Sequence, residues 1–242
     1  MLIADRDTCD EPCSVDAGDP RRSSLGSGRP GGVVAAARLT GQWLVLVVGF
    51  VLAALPAALC RLERWCTRRN ELFLFWGQCF ALMPGLPGKY LRRCFYALTV
   101  SRCSLTCEIG FLSYLTDRRA ELGRGVYVGS GVVIGAVSVG DGCQIANRVS
   151  IMNGGRQHRL ATDGTLTACD PSTLPPVAIG EHTWIGEGAI VMADVGSRSI
   201  VAAGCVVPRP VDDDCIVAGV PARVIGVNEP ADVGRAAHVS VS

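Results

Sequence analysis

Several things this chain lacks narrow what it can be. Acidic and basic residues nearly cancel, with a formal net charge of +1 over 242 residues, and the arginines are scattered. A nucleic-acid partner would want a basic face or stripe, so that class is set aside. Aromatics make up only 6% of the chain while glycine is abundant, which leaves room for one solenoid-like domain with accessory segments but no second full domain. None of the twelve cysteines forms a C-x-x-C pair, so no zinc site is expected and no metal is assigned. Cys143 and Cys205 fall at small-residue positions within a repeat, where a thiol behaves as a small hydrophobe, so the cysteines are read as free in a reducing compartment. With only His158, His182 and His238, a three-histidine zinc site of the carbonic anhydrase type has no plausible ligand set.

What the chain does have is a period of six. Between Leu122 and Val211 aliphatic residues recur six apart, usually followed by Gly or Ala: Leu122-Gly123, Val128-Gly129, Ile134-Gly135, Val139-Gly140, Ile145-Ala146, Ile179-Gly180, Ile185-Gly186, Val201-Ala202. This spacing matches neither the helical period nor the strand period, so each hexad reads as a short strand plus a turn with its aliphatic residue inward. Three hexads make a triangular coil, and stacked coils make a parallel β-solenoid. The small residue fits a corner where a Cβ would crowd the turn or force an unfavourable φ. The period slips at Ile134 to Val139 and again at Val191 to Val195. It vanishes between Ile151 and Ile179, which reads as an extruded loop, the first place to look for chemistry.

The flanks differ in kind. Residues 1–40 are rich in Ser, Gly, Asp and Arg, and disorder is expected; residues 229–242 read as a flexible tail. Residues 41–100 form a membrane-associated helical region. Trp43 to Cys60 is an uncharged run at about the minimum length for crossing a bilayer. It begins too far along the chain for a signal peptide. Residues 72–87 are shorter, aromatic and interrupted by prolines, which suits an interfacial or re-entrant helix. Arg61, Arg64, Arg68 and Arg69 between these stretches, with Lys89, Arg92 and Arg93 after them, put the repeat domain of residues 101–228 on the cytoplasmic side of a cell membrane.

The stretches Ile179 to Ala189 (IGEHTWIGEGA), Val201 to Val207 (VAAGCVV) and Val217 to Ile225 (VAGVPARVI) resemble the C-terminal half of the hexapeptide-repeat acyltransferases, in particular the maltose and galactoside O-acetyltransferases and the polysaccharide-linked enzymes. The resemblance covers roughly residues 120 to 226. It implies a left-handed parallel β-helix, a homotrimer, and acetyl-CoA as acyl donor in a groove between subunits. It also implies a catalytic histidine at the start of the extruded loop, which here is His158. Chemistry asks for the same group, because a neutral imidazole can take the acceptor's proton as its oxygen attacks a thioester. For the donor the resemblance carries over Trp184 and Gly186 as groove lining, Ala203 and Gly204 as main-chain contacts, and Arg209 and Arg223 as partners of the coenzyme phosphates. The acceptor-orienting asparagine of the sugar enzymes is absent from Val126 to Gly131. Asn153, Arg156 and Gln157 are candidates to replace it, with Tyr127 or Ser130 as further options. The expected function is acetyl transfer to a hydroxyl of a saccharide or lipid-linked glycan. An amino-sugar N-acetyltransferase and a non-catalytic trimeric scaffold remain as alternatives.

Overall fold

The computed structural model describes residues 32–67, 69–153, 158–168 and 174–229. The tails expected to be disordered lie mostly outside them. Three helices precede the solenoid: α1 (Gly32–Thr67), α2 (Glu71–Ala81) and α3 (Gly85–Thr99). From Arg102 onward the chain winds through short parallel strands on three faces. The first face stacks Arg102–Cys103, Glu121–Leu122, Val137–Val139 and Val177–Ile179, continued by single bridges at Val195 and Val211. The second stacks Glu108–Ile109, Tyr127–Val128, Gln144–Ile145, Trp184–Ile185, Ile200–Val201 and Cys215–Ala218. The third stacks Tyr114–Leu115, Val133–Ile134, Ser150–Ile151, Ile190–Val191 and Val206–Val207. The solenoid ends by folding back, with Arg223–Val227 antiparallel to Cys215–Ala218.

The expected inward column is present: Leu122, Val128, Ile134, Val139, Ile145, Ile151, Ile179, Ile185 and Val201 are all buried. Each is worth roughly 1.5–3 kcal/mol of transfer free energy. The repeat also begins one coil before Leu122, where a single aliphatic-glycine pair, Ile109-Gly110, marks it. Ile109 and Leu115 are fully buried, but Cys103-Ser104 and Leu115-Thr116 lack the small apolar signature.

Close approach and positive φ fall at different positions of the hexad. Glycines directly after the aliphatic residue are needed for close approach between coils: a Cβ on Gly129 would sit 2.8 Å from the Ala146 carbonyl carbon, and one on Gly186 would sit 2.6 Å from the Ala203 nitrogen. The left-handed conformation belongs instead to residues three before inward positions of the second and third faces, as at Gly131 (φ 69), Gly188 (φ 68), Arg148 (φ 57) and His182 (φ 56). His182 is therefore a corner residue. Two positions before the inward residue, Cys107, Cys143, Thr183 and Ser199 donate to the carbonyls of Gly123, Gly180, Gly196 and Asp212 in the next coil. Cys143 is thus a donor as well as a small filler. All described cysteines are free.

Coil length varies at one corner only. First-to-second and second-to-third steps are six residues throughout, as in Leu122 to Val128 to Ile134 and Ile179 to Ile185 to Val191. The third-to-first step is seven from Leu115 to Leu122, five from Ile134 to Val139, twenty-eight from Ile151 to Ile179, and four from Val191 to Val195 and Val207 to Val211. Both slips in the period and the extruded loop share that corner.

An open solenoid end exposes its apolar column, and here helices cover it. Phe73, Phe80, Phe95 and Tyr96 are buried in one cluster with Cys107, Ile109 and Leu115. The Tyr96 hydroxyl accepts the Leu115 N–H at 3.0 Å. Arg118 donates to the Cys60 carbonyl at 2.9 Å and lies 4.9 Å over the Phe73 ring. The stretch expected to be an interfacial helix therefore has a structural face, Phe73, Gly77, Phe80 and Ala81, docked in this cap. Phe75, Leu82, Met83 and Leu86 remain exposed. In α1, Gly49, Ala53, Ala57 and Cys60 form a narrow buried stripe, whereas Val47, Val51, Leu52, Leu55 and Leu62 are more than half exposed. Val45–Thr67 is, among the described residues, the one helix long and apolar enough to cross a membrane by length and composition.

Candidate functional site

The inserted loop leaves the third face after Ile151 and rejoins the first face at Val177. Its base is tied down from an unexpected quarter. Asn153 is buried, and its side-chain oxygen accepts the Ala136 N–H while its amide nitrogen lies 3.5 Å from Asp117 Oδ2. Asp117 in turn pairs with Arg119 at 2.8 Å, and Arg119 Nη1 donates to the Leu174 carbonyl at 2.9 Å at the other end of the loop. Burial alone would raise the Asp117 pKa. The Arg119 hydrogen bonds and charge, with the Asn153 amide, outweigh it and hold the carboxyl below the usual aspartate value. Asn153, expected among the acceptor-binding groups, is thus engaged in holding the loop.

Within the loop, His158–Leu160 pairs antiparallel with Leu166–Ala168, His158 standing opposite Ala168. The histidine therefore opens a hairpin strand, five positions beyond Asn153 in the chain. Arg156 and Gln157 lie outside the described residues.

The donor candidates fall into two groups. Trp184 projects outward from the second face and is 52% exposed, between Gln144 and Ile200 on the neighbouring strands. Gly186, Ala203 and Gly204 follow at the corner between the second and third faces, where Gly204 takes φ 66. Ala203 and Gly204 are exposed, so their backbone is accessible to a ligand. Arg209, five residues beyond Gly204, and Arg223 come together at the terminal coil. They line one open cleft of about 310 Å³ with Pro208, Pro210, Asp212 and Val224. Two guanidinium groups in one cleft suit phosphate groups. Of the further acceptor options, Tyr127 is 42% exposed on the second face, and the Ser130 N–H is held by the Asn147 side chain at 2.8 Å. No group of three or more His, Cys, Asp or Glu among the described residues is placed to hold a metal ion.

Comparison with known proteins bears on the same region. A serine acetyltransferase of Synechococcus elongatus is 34% identical over 113 residues, covering 44% of this chain and 40% of its own length. The galactoside O-acetyltransferase of Escherichia coli is 30% identical over 112 residues, covering 43% of this chain and 52% of its own. The solenoid is similar to the hexapeptide-repeat acyltransferases. The chain spans about half the length of the curated relatives it matches, and no family model matches it. Among solved structures, a maltose O-acetyltransferase of Clostridium difficile is 17% identical with a TM-score of 0.49, over 66% of this chain and 91% of that one. A hexapeptide-repeat acetyltransferase of Vibrio cholerae is 18% identical with a TM-score of 0.47, over 64% and 89%.

Asp117 and Arg119 carry no signature of the hexapeptide repeat. Their only sequence mark is a run of charged residues, Asp117-Arg118-Arg119, at the corner where coil length varies.

Proposed function

We propose that this chain is a membrane-associated acetyltransferase that moves the acetyl group of acetyl-CoA to a hydroxyl of a saccharide or lipid-linked glycan. The observation that carries the reading is the terminal cleft in which Arg209 and Arg223 converge; the backbone of Ala203 and Gly204, at the preceding corner of the same coil, is exposed. The similarity to serine and galactoside acetyltransferases supports acetyl transfer as the chemistry. In this reading the phosphates of the donor lie against the two arginines and the pantetheine arm runs past the small-residue corner beside Trp184.

His158 is the general base. It takes the acceptor hydroxyl proton as the oxygen bonds to the thioester carbon, and the tetrahedral intermediate then expels the coenzyme thiolate, which receives that proton. No covalent enzyme intermediate is needed. The working unit is a homotrimer, and α1 anchors it with the solenoid on the cytoplasmic side. An amine acceptor would need the same base, so an amino-sugar N-acetyltransferase is the second reading; the serine acetyltransferase relatives add a free amino-acid hydroxyl as a third acceptor to assay.

Calorimetric titration of the detergent-solubilised chain with acetyl-CoA is the test. Saturable binding, weakened about tenfold or more in Arg223→Ala, is expected; no binding of any acyl-CoA overturns the reading. With donor and acceptor in hand, His158→Ala lowers turnover by about two to four orders of magnitude and leaves donor affinity in place.

A further inference from the structure

A second cleft of about 310 Å³ lies at the junction of the helical cap and the first two coils, lined by Gly85, Lys89, Arg92, Glu108, Phe111 and Tyr127 among others. Its centre of interest is Arg92, which is 1% exposed. Nε donates to the Ile109 carbonyl, and Nη1 donates to those of Phe80 and Met83. Nη2 has no partner among the described residues. It is not sealed in the core either, since the buried side-chain atoms without a partner are Trp76 Nε1, Arg93 Nε and Arg118 Nε. Nη2 is thus the part of the guanidinium left for the cleft.

No carboxylate bonds Arg92 among the described residues; every partner it has is a neutral carbonyl. Removing a cation from water without a counter-charge is costly, and burial accordingly lowers the Arg92 pKa from its ordinary value. The same cleft receives the start of α3, a 15-residue helix whose N-cap is Pro84, with no side-chain cap and no acidic residue in its first turn. The N-terminal amides and dipole of a helix favour negative charge. Lys89 and Glu108 form an ion pair on the cleft wall and cancel each other. The uncompensated charge at the site is the Arg92 cation.

The surroundings say what carries the anion. Phe111 and Tyr127 both line the cleft and are 39% and 42% exposed, so aromatic surface borders its mouth. A cationic cleft with an apolar rim fits an amphiphile with an anionic head.

We propose that this cleft binds the phosphate headgroup of a membrane amphiphile, with Arg92 Nη2 and the α3 N-terminus on the phosphate and the chains leaving over Phe111 and Tyr127. The site does not depend on the acyl-transfer reading, because it is measured by binding without turnover.

The full chain in non-ionic detergent is titrated with dihexanoyl phosphatidic acid, dihexanoyl phosphatidylcholine and inorganic phosphate. Saturable binding of the phosphatidic acid is expected, at least about tenfold tighter than either of the others. Arg92→Lys keeps the charge but loses the planar fork, and weakens it by about tenfold. Glu108→Gln removes the one carboxylate at the site and tightens it about threefold or more. Glu108 is half exposed, so that variant tests the site even if Arg92→Lys fails to fold, which a thermal melt reports. Equal affinity for inorganic phosphate overturns the lipid assignment, equal affinity for phosphatidylcholine marks apolar adsorption, and binding indifferent to both substitutions overturns the site. An acetyl-CoA titration of Glu108→Gln, expected to be unchanged, keeps this outcome separate from that of the donor cleft.

Discussion

Replacing Asn153 with Ala separates two accounts of that residue. In the structure its side-chain oxygen serves the N–H of Ala136, which is itself fully buried. Truncation leaves that donor without a partner, and an unsatisfied buried group costs about 1–3 kcal/mol. The contact to Asp117 at 3.5 Å is long and adds little. Taking about 2 kcal/mol, the melting temperature of a protein this size should fall by roughly 4–8 °C. The loop, released at its base, should also be cut faster by a protease between residues 154 and 173, while the solenoid core stays resistant. Calorimetry and timed proteolysis read both effects. If Asn153 instead binds the acceptor, the substitution raises the acceptor KM and leaves melting and proteolysis unmoved. That second pattern refutes the clamp.

Acid should loosen the same clamp. The Asp117 carboxyl is held below its ordinary value, so its contribution is fully present above the unfolded aspartate pKa of about 3.9 and is lost as the pH falls through the folded value. Loop proteolysis should be flat from pH 5 to 8 and rise below about pH 4; a rise near pH 6 would point to another group. Gly186→Val should destabilise by more than 2 kcal/mol, because its Cβ meets the backbone of Ala203 and nothing flexible can move aside; a melt within a degree of the parent would contradict the stacking. Arg209→Ala with Arg223→Ala, both exposed, should abolish measurable acetyl-CoA binding at an unchanged melting temperature; retained binding moves the donor elsewhere. Val51→Asp with Leu55→Asp, on the exposed face of α1, should shift the chain from the membrane to the soluble fraction, and persistence in the membrane would deny α1 the anchoring role.

The inward column could be read from sequence because it needs one aliphatic residue every six positions and nothing else. The first coil shows it at Ile109-Gly110 alone, because Cys103 and Leu115 are followed by Ser104 and Thr116 and the helical cap, not a preceding coil, completes their surroundings. Arg209 and Arg223 were assigned by resemblance, and the cleft brings them together. The loop clamp was invisible for a different reason: Asp117 and Arg119 reach Asn153 and Leu174 across 36 and 55 positions, and no local pattern encodes such a contact. Arg92 read as one of several positive-inside charges. Its burial depends on the α2–α3 turn and on the first coil together, which its three carbonyl bonds join across 9 to 17 positions.

The corner between the third and first faces separates growth from register. With two corners fixed at six residues, each turn of the solenoid recovers its phase within half a revolution, whatever happens at the third. Lengthening the chain there propagates no error to the strands above or below. A lineage could therefore lengthen, shorten or exchange its working loop at that point, and a short peptide placed between Met192 and Asp194 should be carried on the surface with the rest of the stack undisturbed.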